Sequence, residues 1–86
     1  MVWHVYILRC SDNSLYTGIT NNLLARLNKH QQGKASKYTR SRLPVDLIFR
    51  QECNSKSEAL KMEIKIKKFS KKQKEALVRY NYLIKV

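Results

Sequence analysis

Residues 2–20 limit the fold more than any other stretch. "VWHVYILRC" and "SLYTGIT" are both rich in β-branched and aromatic side chains, and the "SDN" between them is a turn signal. They predict strands at 2–10 and 14–20 closed into a hairpin. Gly18 lies inside the second strand although the chain has only two glycines. Glycine weakens a strand interior, so here it marks a bulge or a close approach of another group to the backbone.

Downstream the period changes. "NNLLARLNKHQ" sets Leu23, Leu24 and Leu27 at helical spacing, with Asn21 or Thr20 as the N-cap. "QGKASKYTRSRLP" interrupts that pattern with Gly33, clustered charge and Pro44, and reads as a loop. "VDLIFRQEC" predicts a third strand over 45–53. Ser55 and Glu58 form a capping-box pair that opens a helix to about Phe69, and Ser70 with Gln73 repeats the spacing for a last helix through about Tyr82. The order ββαβαα predicts an α+β fold, a small three-stranded antiparallel sheet flanked by three helices. The expectation is a single domain over 1–82, with a short tail at 83–86.

Charge narrows the partner. Lys and Arg total 18 against 6 Asp and Glu, a net +12, well beyond what solubility asks of a small domain. That balance points to a polyanion. A membrane is the weaker choice, because no run approaches the ~18 consecutive apolar residues of a spanning helix. "MVWHVYILRC" has neither the basic start nor the long apolar run of a signal peptide, so the expected location is cytoplasmic. Cys10 and Cys53 form no CxxC pair and read as small core thiols.

Several residues stand out chemically. On a helical wheel Ala59, Leu60, Met62, Ile64, Ile66 and Phe69 fan over one apolar arc, and Glu63 falls within it. A carboxylate there needs a cation, a strong donor or a metal. The capping position already accounts for Glu58. Arg26 and His30 are four apart and stack on one helix face. Strand parity leaves the two hairpin tyrosines open: a two- or four-residue turn sets Tyr6 and Tyr16 on opposite faces. A three-residue turn puts both on one face and Gly18 opposite Tyr6, leaving space there for a phosphate. The loop adds Lys34, Lys37, Arg40 and Arg42 around Tyr38, a basic cluster with an aromatic platform suited to nucleic acid.

Taken together, "VYI" at 5–7, "YTG" at 16–18, Arg26 with His30, and Glu63 within "ALKME" resemble the ordered motifs of the GIY-YIG nuclease superfamily. The resemblance runs from Val5 to about Leu77 and is nearest to the small stand-alone bacterial members carrying "LYTGIT" and "KYTRSR". It implies a three-stranded antiparallel sheet with flanking helices, and hydrolysis of phosphodiester bonds with one divalent cation, Mg²⁺ or Mn²⁺. By position, Glu63 matches the metal-binding carboxylate and Arg26 the arginine on the scissile phosphate. Tyr6 and Tyr16 match the motif tyrosines, with Tyr6 favoured as the base that takes the proton of the attacking water. His30 matches a histidine that supports the tyrosine in some members. Many members carry an asparagine about a dozen residues after the glutamate; here "KEA" at 74–76 lies there, and Asn81 is the next candidate.

The mechanism carries a requirement. A tyrosine of pKa near 10 is about one part in a thousand phenolate at pH 7, which costs on the order of 4 kcal/mol to reach. Arg26 and a cation on Glu63 are expected to favour the phenolate and the developing phosphoryl charge. The expected function is a metal-dependent endonuclease on DNA rather than RNA, with branched, nicked or single-stranded DNA as candidate substrates. A partner protein or a homodimer is expected to help choose among them. The competing expectation is a non-catalytic nucleic-acid-binding module that keeps the site as a phosphate clamp.

Overall fold

Strand β1 (Trp3–Arg9) lies at the centre of a three-stranded antiparallel sheet, between β2 (Leu15–Thr20) and β3 (Asp46–Cys53). The computed structural model describes residues 2–85, with side chains for residues 2–81. Helices cover both sheet faces, which is why β1 is buried without a break from Val5 to Leu8. On one face Val5, Ile7, Phe49 and Cys53 pack with Ala59 and Ile66 of α3 (Lys56–Lys67) and with Leu77 and Val78 of α4 (Lys71–Lys85). On the other face Tyr6, Leu8, Cys10 and Val45 pack with Leu23 and Leu27 of α1 (Leu23–Gln31). Both cysteines are free and buried, as expected of core thiols.

The hairpin has the three-residue turn. Asn13 takes φ 69°, a left-handed conformation asparagine tolerates, and Cys10 N–H donates to the Ser14 carbonyl at 2.9 Å. The resulting register pairs Tyr6 with Gly18 and Leu8 with Tyr16. On the other side of β1 a bulge between Ile7 and Leu8 leaves Ile48 as the extra residue of β3. Phe49 therefore joins the α3 face and Leu47 the α1 face, although strict alternation would place them together.

Helix α1 starts one residue later than expected. Its N-cap is Asn22, whose side chain accepts from Ala25 N–H at 3.2 Å, while the Thr20 hydroxyl is engaged in accepting Asn22 N–H at 3.0 Å. The helix ends in a Schellman turn: Gly33 at φ 74° donates to the His30 carbonyl and Lys34 to that of Lys29, both at 2.9 Å. The loop that follows contains a one-turn helix, α2 (Lys37–Arg40), which the sequence pattern did not reveal. Ser36 caps it, its Oγ accepting from Tyr38 N–H at 3.1 Å and Thr39 N–H at 3.5 Å.

In α3 the apolar arc is narrower than the wheel implied. Ala59 and Ile66 are buried and Met62 and Phe69 partly so, whereas Leu60 and Ile64 are exposed. The capping box at Ser70 and Gln73 forms reciprocally, and α4 continues past the expected end to Lys85, so 83–85 belong to the helix. Position 86 lies outside the described residues. No helix among the described residues is long and apolar enough to cross a membrane.

Candidate active site

The site is built on the α1 face of the sheet. Because Tyr6 opposes Gly18 and Leu8 opposes Tyr16, the two tyrosines share a face, with ring centroids 6.5 Å apart. His30, in the last turn of α1, is fully buried against both, its ring centroid 5.7 Å from Tyr6 and 5.3 Å from Tyr16. A hydrogen bond of 2.8 Å joins the Tyr6 hydroxyl to His30 Nε2, and another of 2.9 Å joins His30 Nδ1 to Thr39 Oγ1. Thr39 is also fully buried, and sequence reasoning missed it. Only its place after the Ser36 cap hinted that it would turn inward.

Gly18 allows this arrangement through close contact. A Cβ there would stand 2.5 Å from the Tyr6 hydroxyl oxygen and 2.6 Å from its Cζ. The gap expected to receive a phosphate is thus filled by the Tyr6 phenol itself.

Burial sets the protonation states. It raises the Tyr6 pKa above 10; the Arg26 guanidinium beside it works the other way, and Tyr16 and the Glu63 carboxylate add to the rise. The expectation of a lowered Tyr6 pKa is therefore reversed in the protein alone. For His30, burial and then the Arg26 charge push the pKa below 6.5, so the imidazole is neutral at pH 7. Arg26 is half-buried, and its Nε is enclosed without a hydrogen-bond partner.

Glu63 approaches from α3. It lies four residues after Ala59 and three before Ile66, at the margin of the buried stripe, and its side chain is only 16% exposed. Among the described residues its ion pair is with Lys67 at 3.6 Å, an i,i+4 contact with a mostly exposed lysine. No group of three or more His, Cys, Asp or Glu converges among the described residues. One mostly buried carboxylate with the Arg26 charge nearby at Tyr6 would fit a cation that keeps most of its waters and takes other ligands from phosphate, as Mg²⁺ does.

The basic loop divides. Lys34, Lys37 and Arg40 are exposed and line a surface cavity of about 340 Å³ with Gly33, Ala35 and Ser36. Arg42 is engaged internally: Nε donates to Asp12 at 3.0 Å, Nη1 donates to the Tyr38 carbonyl at 2.8 Å, and the guanidinium lies 3.9 Å from the Tyr38 ring centroid. Tyr38 in turn stacks with Tyr16, centroids 6.1 Å apart. The ring expected as a base platform is thus already packed against Arg42 and Tyr16, and the ladder from Asp12 to Tyr16 ties the hairpin turn to the site.

The "KEA" stretch and Asn81 have structural contacts of their own. Glu75 of "KEA" makes a two-pronged pair with Arg9, at 2.6 and 2.8 Å, and clamps α4 to β1. Asn81 lies against β3, lining a cavity with Leu47, Ile48, Phe49 and Arg50.

Comparison with known proteins agrees with this geometry. A family model described as the GIY-YIG catalytic domain matches residues 2–76. A UPF0213 protein of Staphylococcus haemolyticus is 49% identical over 75 residues, covering 87% of this chain and 92% of that one. Another, from Desulfotalea psychrophila, is 47% identical over 78 residues, covering 90% and 71%. The solution NMR structure of a UPF0213 protein from Bacillus halodurans matches with a TM-score of 0.61 at 44% identity over 93% of this chain and 85% of that one. A solution NMR structure of a protein from E. faecalis gives 0.67 at 36% identity, over 96% and 88%. The chain belongs to the GIY-YIG family, a family of nucleases that generally depend on a divalent metal.

Proposed function

We propose that the protein is an endonuclease that hydrolyses phosphodiester bonds in DNA with one Mg²⁺ or Mn²⁺, acting in the cytoplasm on branched, nicked or single-stranded substrates. The observation that carries this reading is the Tyr6 hydroxyl, held 2.8 Å from a neutral His30 and flanked by the Arg26 guanidinium and the Glu63 carboxylate. A base, a phosphate cation and a metal-holding carboxylate are what hydrolysis of a phosphodiester needs within one small space.

The roles follow from the chemistry. Arg26 would seat the scissile phosphate through its guanidinium. Glu63 would hold the cation, which when bound supplies positive charge against the phosphoryl oxygens and favours the phenolate of Tyr6. Tyr6 takes a proton from the attacking water as its own passes to His30. The water oxygen bonds to phosphorus, the P–O bond to the leaving sugar oxygen breaks with its electron pair, and that oxygen takes a proton from solvent. Tyr16 packs the Tyr6 and His30 rings in place. Lys34, Lys37 and Arg40 supply phosphate contacts along the strand, as the +12 charge favours.

Two observations favour a second reading, a non-catalytic nucleic-acid module that keeps the site as a phosphate clamp. The Tyr6 pKa is raised, and Asn81 lies at β3. The deciding experiment is cleavage of labelled duplex, branched and single-stranded DNA and of structured RNA, with and without Mg²⁺ or Mn²⁺. Metal-dependent cutting supports the nuclease; binding without cutting supports the clamp.

A further inference from the structure

A neutral imidazole carries one N–H and one lone pair, and only the nitrogen with the lone pair can accept a proton. Both nitrogens of His30 are engaged, Nε2 with the Tyr6 hydroxyl and Nδ1 with Thr39 Oγ1. Distances leave two arrangements. In one, Tyr6 donates to Nε2, Nδ1–H donates to Thr39, and Thr39 donates to the Ser36 carbonyl 3.4 Å away. In the other, Nε2–H donates to Tyr6 and Thr39 donates to Nδ1.

Counting hydrogens decides between them. Thr39 and His30 are fully buried, so water is not a ready substitute partner for either. Among the described residues the Tyr6 hydroxyl makes its hydrogen bond to His30 Nε2, and no other side-chain acceptor, the nearby Glu63 carboxylate included, is within hydrogen-bond distance of it. With Nε2–H aimed at it, Tyr6 would accept that bond and have no protein acceptor within hydrogen-bond distance for its own hydrogen. In the first arrangement three hydrogens meet three acceptors. The Ser36 carbonyl is available for this, with its second lone pair taken by Arg40 N–H at 3.1 Å.

We propose that Thr39 is a positioning residue for the nuclease reaction, holding His30 as the Nδ1–H tautomer so that Nε2 is free to take the Tyr6 proton. This rests on the nuclease reading above and extends it to a residue that touches neither substrate nor metal. It also gives α2 a purpose: the Ser36 cap orients the turn that carries Thr39 inward while Lys37 and Arg40 face solvent on the same turn. A hydroxyl on a separate element sets the tautomer, the same logic by which a third group orients the base in other nucleophile–base pairs.

The test reads the tautomer directly. Long-range ¹H–¹⁵N spectra of the labelled protein, without substrate or metal, are expected to show His30 as Nδ1–H. Thr39→Val, close to isosteric, is expected to lose that signature, and Thr39→Ser to restore it. In the cleavage assay kcat is expected to fall about tenfold or more in Thr39→Val with KM little changed, and to recover in Thr39→Ser. An Nε2–H tautomer in the unaltered protein would overturn the proposal, and this holds even if Thr39→Val fails to fold. So would an unchanged tautomer in a folded Thr39→Val. Failure of the unaltered protein to cleave any substrate would instead overturn the nuclease reading, since the tautomer is read without turnover.

Discussion

Tyr6 and Gly18 share one volume: a Cβ on Gly18 would lie 2.5 Å from the Tyr6 hydroxyl oxygen, so the glycine of one motif is the reason the tyrosine of the other can face His30. Elsewhere in a strand, Gly→Ala gains stability through the unfolded chain. Here the clash dominates, because Tyr6 is buried and held by His30. Gly18→Ala is expected to cost about 1–3 kcal/mol in urea unfolding and to lose most cleavage activity, by displacing the phenol. A variant as stable and as active as the parent would show that the contact does not matter.

The buried imidazole of His30 makes stability depend on pH. Unfolded, it titrates near 6.5; folded, burial and Arg26 keep it neutral to lower pH. Between those values the unfolded chain binds the extra proton, so stability falls as pH drops below about 6.5 and the loss is complete at the folded pKa. Asp12 and Glu75 act lower. Hydrogen bonds hold both below the ordinary carboxylate range, so their contribution is present above their unfolded pKa and lost as pH falls through the folded one. A Tm series from pH 8 to 4 is expected to begin its decline already below about 6.5, before the carboxylates titrate, and His30→Gln to flatten that part alone. Parallel curves would contradict the assignment.

The basic loop separates into cations that meet nucleic acid and one that supports the fold. Lys37→Ala and Arg40→Ala are each expected to lower the slope of log K against log salt by about one, as for one phosphate contact. Arg42→Ala is expected to lower Tm through loss of its Asp12 and Tyr38 contacts, with a smaller change in slope. Equal slope changes for all three would place Arg42 on the nucleic acid.

Glu75 belongs to the "KEA" stretch, and its pairing with Arg9 gives it a structural task. Glu75→Gln is expected to cost about 0.5–1 kcal/mol in chemical denaturation, the scale of a partly exposed ion pair, and to leave kcat unchanged. A collapse of kcat without a loss of stability would place this position in the chemistry.

Much of this was legible in the sequence because local rules and tertiary packing agree. The strand runs, the Ser70–Gln73 capping box and the α+β order need only neighbours in the chain to specify them. The motif residues Tyr6, Tyr16, Arg26, His30 and Glu63 come together in the sequence only through the family resemblance, and the structure brings the first four onto one face with Glu63 beside them. What escaped depends on distant groups. The turn length had to be chosen among three by the register of a whole hairpin, and the Ile48 bulge by the demands of two cores at once. Thr39 is an ordinary polar residue in a charged loop until α2 folds it under α1. Arg42 looked like its basic neighbours because Asp12, its partner, is 30 residues away. The wheel overstated the apolar arc of α3, since Leu60 and Ile64 meet no covering element in the described residues.

Glu63 is where the account is most exposed, since it alone would hold the cation. The most direct measurement is the initial rate of metal-dependent cleavage by the parent protein and by Glu63→Ala, with circular dichroism and thermal unfolding run on both. The account predicts cutting that needs Mg²⁺ or Mn²⁺, is abolished by chelation, and is lost in a Glu63→Ala protein that still folds. Cleavage that survives in folded Glu63→Ala would contradict it.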